Sequence, residues 1–221
     1  MMTSPIIPAV IPQSYEDLVR YAEVFASLPE LHVDVVDGVF VETISWPYFD
    51  TAIPARALHV LERFSLEVDL MVADQLGAAA AWLGAGADQL VFHIEAISLD
   101  AFLQFVTTHA VTVGVAAGND TPLSTLYPYL KEADYVQVMG VATIGAQGQS
   151  FDTRALERIV QIRTEFPRLP ISIDGSVNAE TIALLAPLQL DRLIVGSAIT
   201  HAPEPMAAYH TLTELVRSQQ G

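Results

Sequence analysis

The sequence predicts an α/β protein with the closed (β/α)8 architecture of a TIM barrel, formed as a single domain over residues 1–221. Short apolar runs that favour β-strands alternate with helical stretches, a pattern typical of a parallel sheet. Eight such units follow one another with no linker and no change of composition, which favours a closed barrel at this length. No G-x-G-x-x-G follows the first strand, and this counts against an open dinucleotide-binding sheet.

The predicted strands are IIPAVI (6–11), LHVDVVD (31–37), LEVDLMV (66–72), QLVFHIE (89–95), VTVGVAA (111–117), YVQVMGV (135–141), ISIDG (171–175) and RLIVGSA (192–198). The predicted helices are YEDLVRYAEVFASL, QLGAAAAWLGAG, LDAFLQFVTTHA, PLSTLYPYLKEA, TRALERIVQIRTEF, AETIALLAPL and EPMAAYHTLTELVRSQ. One more helix is expected within residues 46–64, where Pro47 and Pro54 obscure its start.

The composition of the chain limits which binding partners and which cellular compartment we expect. Hydrophobic residues make up 52% of the chain and charged residues 16%, so a large core is expected and disorder is not. The net charge of −16 argues against nucleic acid and anionic membranes as partners. No apolar run reaches the roughly 18 residues of a membrane span. The start, MMTSPIIPAVIP, lacks the positive region of a signal peptide, so we expect a cytoplasmic protein.

Two residue counts narrow the chemistry. The chain contains no cysteine, which excludes disulfides, thiolate metal sites and cysteine nucleophiles. Its single lysine, Lys131, lies in YLKEAD at the expected end of a surface helix. Schiff-base catalysis needs a desolvated lysine, so the sequence argues against that chemistry.

Acidic side chains interrupt three of the predicted strands. Because side chains alternate along a strand, His32 and Asp34 should point into the barrel, and so should Asp69 and Asp174 from the third and seventh strands. All of them lie towards the C-terminal strand ends, where barrel enzymes gather their functional groups. Burying unpaired carboxylates costs several kcal/mol, and neighbouring carboxylates repel each other.

Protons or a divalent cation would neutralise this cluster. One imidazole and three carboxylates suit one divalent ion of zinc, iron, manganese or magnesium. The alternative is a set of polar core residues satisfied by hydrogen bonds. His93 and Glu95 also point inward if the alternation holds, either behind the metal ligands or as a pair at the barrel rim. The remaining histidines fall on helices or at helix ends and receive no role: His59, His109, His201 and His210.

Glycine-serine steps follow the last two strands. Gly175 and Ser176 lie in DGSVNAET, Gly196 and Ser197 lie in VGSAIT, and Asn178 is placed to cap the next helix. Glycines let backbone N–H groups approach an anion, and TIM barrels often bind phosphate with these two loops. The alternative is that these glycines only form tight turns.

Several of these motifs occur together in one known family. LHVDVVDGVFV, EVDLM, VQVMGV with GQSF, SIDGSV and VGSAI follow the order found in ribulose-phosphate 3-epimerases, and the resemblance covers nearly the whole chain. It implies a ribulose-phosphate-binding type of TIM barrel and a metal-dependent epimerase that interconverts D-ribulose 5-phosphate and D-xylulose 5-phosphate. The expected substrate is therefore a small phosphorylated ketose.

The resemblance also implies residue roles. Asp34 and Asp174 would lie on opposite faces of the substrate, one removing the C3 proton and the other returning a proton. Both would bind the metal, together with His32 and the strand-three residue Asp69, and the metal would stabilise the ene-diolate oxygens. The phosphate would contact the residues Gly148, Gly175, Ser176, Gly196 and Ser197.

The chain departs from the family pattern near the expected substrate. Asp69 stands where the family usually has histidine, Ala9 replaces a serine that touches substrate, and Ser176 replaces a glycine. Ala9, Met71 and Met139 are expected to line the substrate site. These departures leave open a related ketose phosphate, such as a hexulose 6-phosphate, and a barrel that binds sugar phosphate without turnover.

Two further alternatives concern the reaction and the assembly. A lyase or isomerase sharing the enediolate intermediate would be expected to show an Asp-x-Lys-x-x-Asp array, as in relatives of orotidine decarboxylase, and the sequence has none. Barrels of this class often associate, so a homo-oligomer is compatible with the high apolar content.

Overall fold

The protein forms a closed barrel of eight parallel strands. A computed structural model describes residues 5–49, 57–145 and 148–220. The strands are β1 (Ile6–Val10), β2 (Glu30–Val36), β3 (Ser65–Met71), β4 (Gln89–His93), β5 (Thr112–Ala117), β6 (Tyr135–Met139), β7 (Ile171–Asp174) and β8 (Arg192–Val195). They pair in chain order, and β8 closes the barrel against β1. The predicted TIM barrel is confirmed.

Helices surround the strands. They are α1 (Tyr15–Val24), α2 (Ala57–Leu61), α3 (Gln75–Gly84), α4 (Leu99–Thr108), α5 (Leu123–Leu130), α6 (Arg154–Glu165), α7 (Ala179–Leu185), α8 (Ser197–Thr200) and α9 (Pro205–Gln220), with a 3-10 turn over Ala186–Leu188. The helix expected within 46–64 corresponds to α2, and residues 50–56 of that range lie outside the described residues. Within the described residues, no helix has both the length and the apolar character needed to cross a bilayer.

The alternation predicted for β2 is confirmed. Leu31, Val33 and Val35 are buried in the main core between strands and helices, while His32 and Asp34 contact residues inside the barrel. The register pairs Asp34 with Asp69 and His32 with Glu67 on β3. The barrel interior therefore carries two polar levels, with the aspartates nearer the C-terminal ends of the strands.

A recurring aspartate joins neighbouring strands at the opposite end of the barrel. Asp88, Asp134 and Asp191 immediately precede β4, β6 and β8. Each carboxylate accepts a hydrogen bond from a backbone N–H near the start of the preceding strand, at Leu66 (2.9 Å), Val113 (2.7 Å) and Ile171 (2.9 Å). The backbone N–H of each aspartate donates in return to the carbonyl of the same residue. These paired bonds fix the relative start of three strand pairs.

Candidate active site

A cavity of about 400 Å³ opens at the C-terminal end of the barrel, within the range typical of small-molecule sites. Asp34 and Asp174 both line it. The other predicted residues that line it are Ala9, Met71, Met139, Gly148, Gly175, Ser176, Gly196 and Ser197. The predicted metal ligands His32 and Asp69 are completely buried behind this lining.

The imidazole of His32 lies between two carboxylates. Its Nε2 is 2.8 Å from Oδ1 of Asp34, and its Nδ1 is 2.5 Å from Oε1 of Glu67. Burial opposes the charged imidazole, but the Asp34 and Glu67 carboxylates outweigh burial and raise the pKa of His32 well above its ordinary value. Both ring nitrogens of His32 therefore face a carboxylate oxygen.

Two donors from other strands hold Asp69. Nε2 of His93 lies 2.8 Å from its Oδ1, and Nε2 of Gln137 donates to its Oδ2 at 2.7 Å. Burial lowers the pKa of His93, and the Asp69 charge more than reverses this, so the net shift is upward. Histidines with raised pKa values thus accompany the buried aspartates, and counting lysines and arginines in the sequence did not reveal them.

Three predicted ligands are close enough to share a metal ion. Ligand atoms of His32, Asp34 and Asp69 all lie within 4.8 Å of one another. One imidazole nitrogen and two carboxylates form a donor set that zinc, iron or manganese accepts, so the residues present fit a divalent cation. Asp174 stands outside this group of three and lines the same cavity as Asp34.

The two cavity aspartates influence each other. Burial raises the pKa of Asp174 well above its ordinary value, and the negative charge of Asp34 raises it further. Burial also raises the pKa of Asp34, but the adjacent His32 opposes that shift. The two carboxyl groups therefore differ in their hold on a proton, as an acid and base pair requires.

The prediction for Glu95 is wrong. Strand β4 ends at His93, whose carbonyl accepts from the Ala96 N–H in a turn, so the alternation does not extend to Glu95. The Glu95 carboxylate is exposed and accepts bonds from the Gly118 N–H and the Thr121 hydroxyl in the loop after β5. It organises that loop.

The loops expected to hold phosphate are tied together. Ser176 adopts a left-handed backbone conformation with φ of 54°, and its hydroxyl donates to the Gln149 carbonyl at 2.7 Å. Its own carbonyl accepts from Asn178 and Thr181. Asn178 caps α7, as predicted, by accepting from the Glu180 and Thr181 N–H groups. The side chain of Ser176 therefore orders the loop beside the cavity that Ser176 lines.

Two polar cavity residues had no role assigned to them from the sequence. Gln149 and His201 both line the cavity. Among the described lining residues, His201 is the only one whose side chain can carry a positive charge. It follows α8, a short helix that occupies part of the range predicted as the eighth strand. The GQSF motif could have indicated Gln149, whereas no sequence signal indicated His201.

The chain is similar to known proteins over nearly its whole length. The model of the ribulose-phosphate 3 epimerase family matches residues 5–200. The chain belongs to this family. A ribulose-phosphate 3-epimerase from Aquifex aeolicus is 31% identical over 85% of each chain. The cytoplasmic isoform from Oryza sativa subsp. japonica is 27% identical over 97% of this chain and 95% of the relative. The predicted family and the predicted enzyme class, a carbohydrate epimerase, are confirmed.

Solved structures agree on the architecture. A 3-keto-L-gulonate-6-phosphate decarboxylase from Vibrio cholerae matches with a TM-score of 0.70, covering 99% of this chain and 98% of the other, at 17% identity. A likeness at this level of identity shows the fold alone. Within the epimerase family, the chemistry must therefore be argued from the cavity residues.

Proposed function

We propose that this protein is a metal-dependent epimerase that interconverts D-ribulose 5-phosphate and D-xylulose 5-phosphate by proton transfer at C3. The observation that carries the proposal is that Asp34 and Asp174 line one cavity from β2 and β7. These strands are three steps apart around the barrel, through β1 and β8, so the two carboxyl groups approach a bound molecule from different sides. The names of the relatives support the same substrate.

The two aspartates are proposed to exchange one proton for another. One carboxylate removes the C3 proton, and the electron pair of the broken C–H bond moves into the adjacent carbonyl to give an ene-diolate. The other, in its acid form, then donates its proton to the opposite face of C3. The product is the C3 epimer, and the two carboxyl groups have exchanged protonation states. The reverse reaction uses the same steps.

The residues proposed to hold one divalent ion are His32, Asp34, Asp69 and Asp174. A bound cation supplies stabilisation of the negative charge that develops on the ene-diolate oxygens. Zinc, iron, manganese and magnesium remain the candidates. The hydrogen bonds from His93 and Gln137 to Asp69 support its role as a metal ligand, because metal-binding side chains are commonly oriented by such partners.

The phosphate group is proposed to bind in the loops after β6, β7 and β8. Gly148, Gly175, Ser176, Gly196 and Ser197 all line the cavity, and backbone N–H groups at glycine-rich turns bind anions. His201 lines the same cavity, and its imidazole is proposed to donate a hydrogen bond to the phosphate. No lysine is needed for this arrangement, which agrees with so acidic a chain.

Deuterium exchange tests the proposal. The protein is incubated with ribulose 5-phosphate and MnCl2 in D2O, and NMR follows xylulose 5-phosphate and deuterium at C3. We expect both, and loss of both in Asp34→Asn and Asp174→Asn but not in Asp100→Asn, a control in the first turn of α4. Exchange with a hexulose 6-phosphate alone would assign a different ketose. No exchange with either sugar would favour a non-catalytic sugar-phosphate-binding barrel, and an active Asp34→Asn protein would overturn the mechanism.

Location and assembly are proposals of a coarser kind. One relative is named as a cytoplasmic isoform, which supports the expected cytoplasmic location. The homo-oligomer stays a prediction that analytical ultracentrifugation tests directly.

A further inference from the structure

A buried acidic residue lies next to the proposed metal ligands, on the side nearer the N-terminal ends of the strands. Glu67 on β3 is completely buried, and its carboxylate accepts hydrogen bonds from the Tyr135 hydroxyl and the Arg192 guanidinium. It also lies 2.5 Å from Nδ1 of His32. Three donors from β2, β6 and β8 therefore converge on one carboxylate, although Glu67 does not line the cavity itself.

Several side chains around Glu67 are themselves fixed. Gly114 on β5 leaves room for the Tyr135 ring, because a Cβ at Gly114 would lie 2.3 Å from Cζ of Tyr135. The Arg192 guanidinium lies 5.7 Å from the centre of that ring and also donates to Oε2 of Glu30 at 3.2 Å. Arg192 is the first residue of β8. The support for Glu67 thus extends to the N-terminal end of the barrel, opposite the cavity.

We propose that Glu67 is a positioning residue that holds the His32 imidazole with Nδ1–H towards Glu67 and Nε2 towards the proposed metal site. An imidazole has two nitrogens, and a carboxylate that accepts from one of them leaves the other as the ligand. In this orientation Nε2 lies 2.8 Å from Asp34 and 4.0 Å from Asp69. The inference deepens the proposed function, because it rests on His32 acting as a ligand there.

The contrasting explanation is that Glu67 only forms a structural ion pair at the N-terminal end of the barrel. In that case Glu67 would affect the stability of the protein but not which nitrogen of the His32 imidazole carries the proton. Glu67→Gln separates the two explanations because it preserves the shape of the side chain. Arg192 and Tyr135 would hold the single amide oxygen, so the amide NH2 would face Nδ1 of His32. Nδ1 must then accept a hydrogen bond and so carries no proton, and the ring proton lies on Nε2, the nitrogen that should bind the cation.

Two measurements on the full-length protein test this. In metal-free protein labelled with ¹⁵N at the imidazoles, we expect a hydrogen-bonded Nδ1–H signal for His32 that Glu67→Gln abolishes. EPR titration with MnCl2 should show binding weakened about 10- to 100-fold, the usual effect of losing a carboxylate behind a histidine ligand. The matched control is Glu62→Gln, which removes a carboxylate 2.9 Å from Nδ1 of the exposed His59 and should change neither measurement.

A second variant covers the outcome in which Glu67→Gln does not fold. Glu67→Leu with Arg192→Leu removes both charges together. Replacing both partners of a buried ion pair by apolar residues usually destabilises a protein less than removing one partner. It should also lose the Nδ1–H signal. An unchanged His32 signal in either folded variant would overturn the role of Glu67. If wild-type protein binds no Mn²⁺, the proposed metal dependence fails for that ion, and the imidazole signals still decide the role of Glu67.

Discussion

Replacing His93 by leucine should destabilise the metal-free protein. His93 and Asp69 are both completely buried and lie 2.8 Å apart, and leaving one charge of a buried pair without its partner costs about 3–5 kcal/mol. Asp69 would keep its hydrogen bond from Gln137 and the more distant His32, at 4.0 Å, so we expect the lower end, about 3 kcal/mol. For a chain of this size that loss lowers Tm by roughly 6–12 °C.

Thermal and urea denaturation in EDTA measure this loss. At pH 6 the full difference between wild type and His93→Leu should appear. The pKa of His93 is raised, because the Asp69 charge outweighs the effect of burial, so its contribution is complete below the unfolded value of about 6.5. It fades as the pH rises through the folded pKa, and the difference should shrink towards pH 9.

An exposed pair provides the control. His59 lies 2.9 Å from Glu62, and both side chains are largely in solvent. His59→Leu should change the free energy of unfolding by no more than about 0.5 kcal/mol. A loss below about 1 kcal/mol for His93→Leu at pH 6 would show that Asp69 does not depend on the imidazole, and would refute the charge pairing inferred for the aspartates.

Three other substitutions or conditions give separate tests. Burial raises the pKa of Glu67, but its hydrogen bonds and its charge contacts with His32 and Arg192 outweigh burial and lower the pKa to about 2. Acid titration followed by circular dichroism should therefore show that the protein loses stability as the pH falls from about 4.5 towards 2. Asp134→Ala removes the acceptor 2.7 Å from the Val113 N–H and should cost about 1–2 kcal/mol in urea denaturation. His201→Ala should raise KM for the phosphorylated ketose roughly tenfold with kcat unchanged, since a hydrogen bond to a charged group contributes about 1.5 kcal/mol. Steady-state kinetics would contradict this with an unchanged KM.

The fold could be predicted from the sequence because the patterns that indicate strands and helices are local. Apolar runs and helical stretches alternate along the whole chain, and each predicted strand has a counterpart in the barrel. Boundaries were less accessible. The end of β4 at His93 depends on a turn closed by Ala96, and the start of α8 at Ser197 cuts short the predicted eighth strand. Both depend on backbone geometry that an apolar run does not encode.

The candidate site could be predicted only in part, for a related reason. Period-two alternation placed His32 and Asp34 inside the barrel, and it did the same for Asp69. The pairing of Asp69 with His93 was not accessible, because the residue beside Asp69 on β4 is Val91, two positions earlier. Contacts across a barrel depend on how the strands are staggered and tilted, and a single sequence does not contain that stagger.

The aspartates that precede β4, β6 and β8 limit how this barrel can be recombined with its relatives. Each of them completes a bond begun by the strand before it, at Leu66, Val113 or Ile171. A chimera joined between β3 and β4 would pair an aspartate from one parent with an amide from the other. Junctions between β4 and β5, or between β6 and β7, would transfer each bond intact, so viable crossovers should fall every second strand.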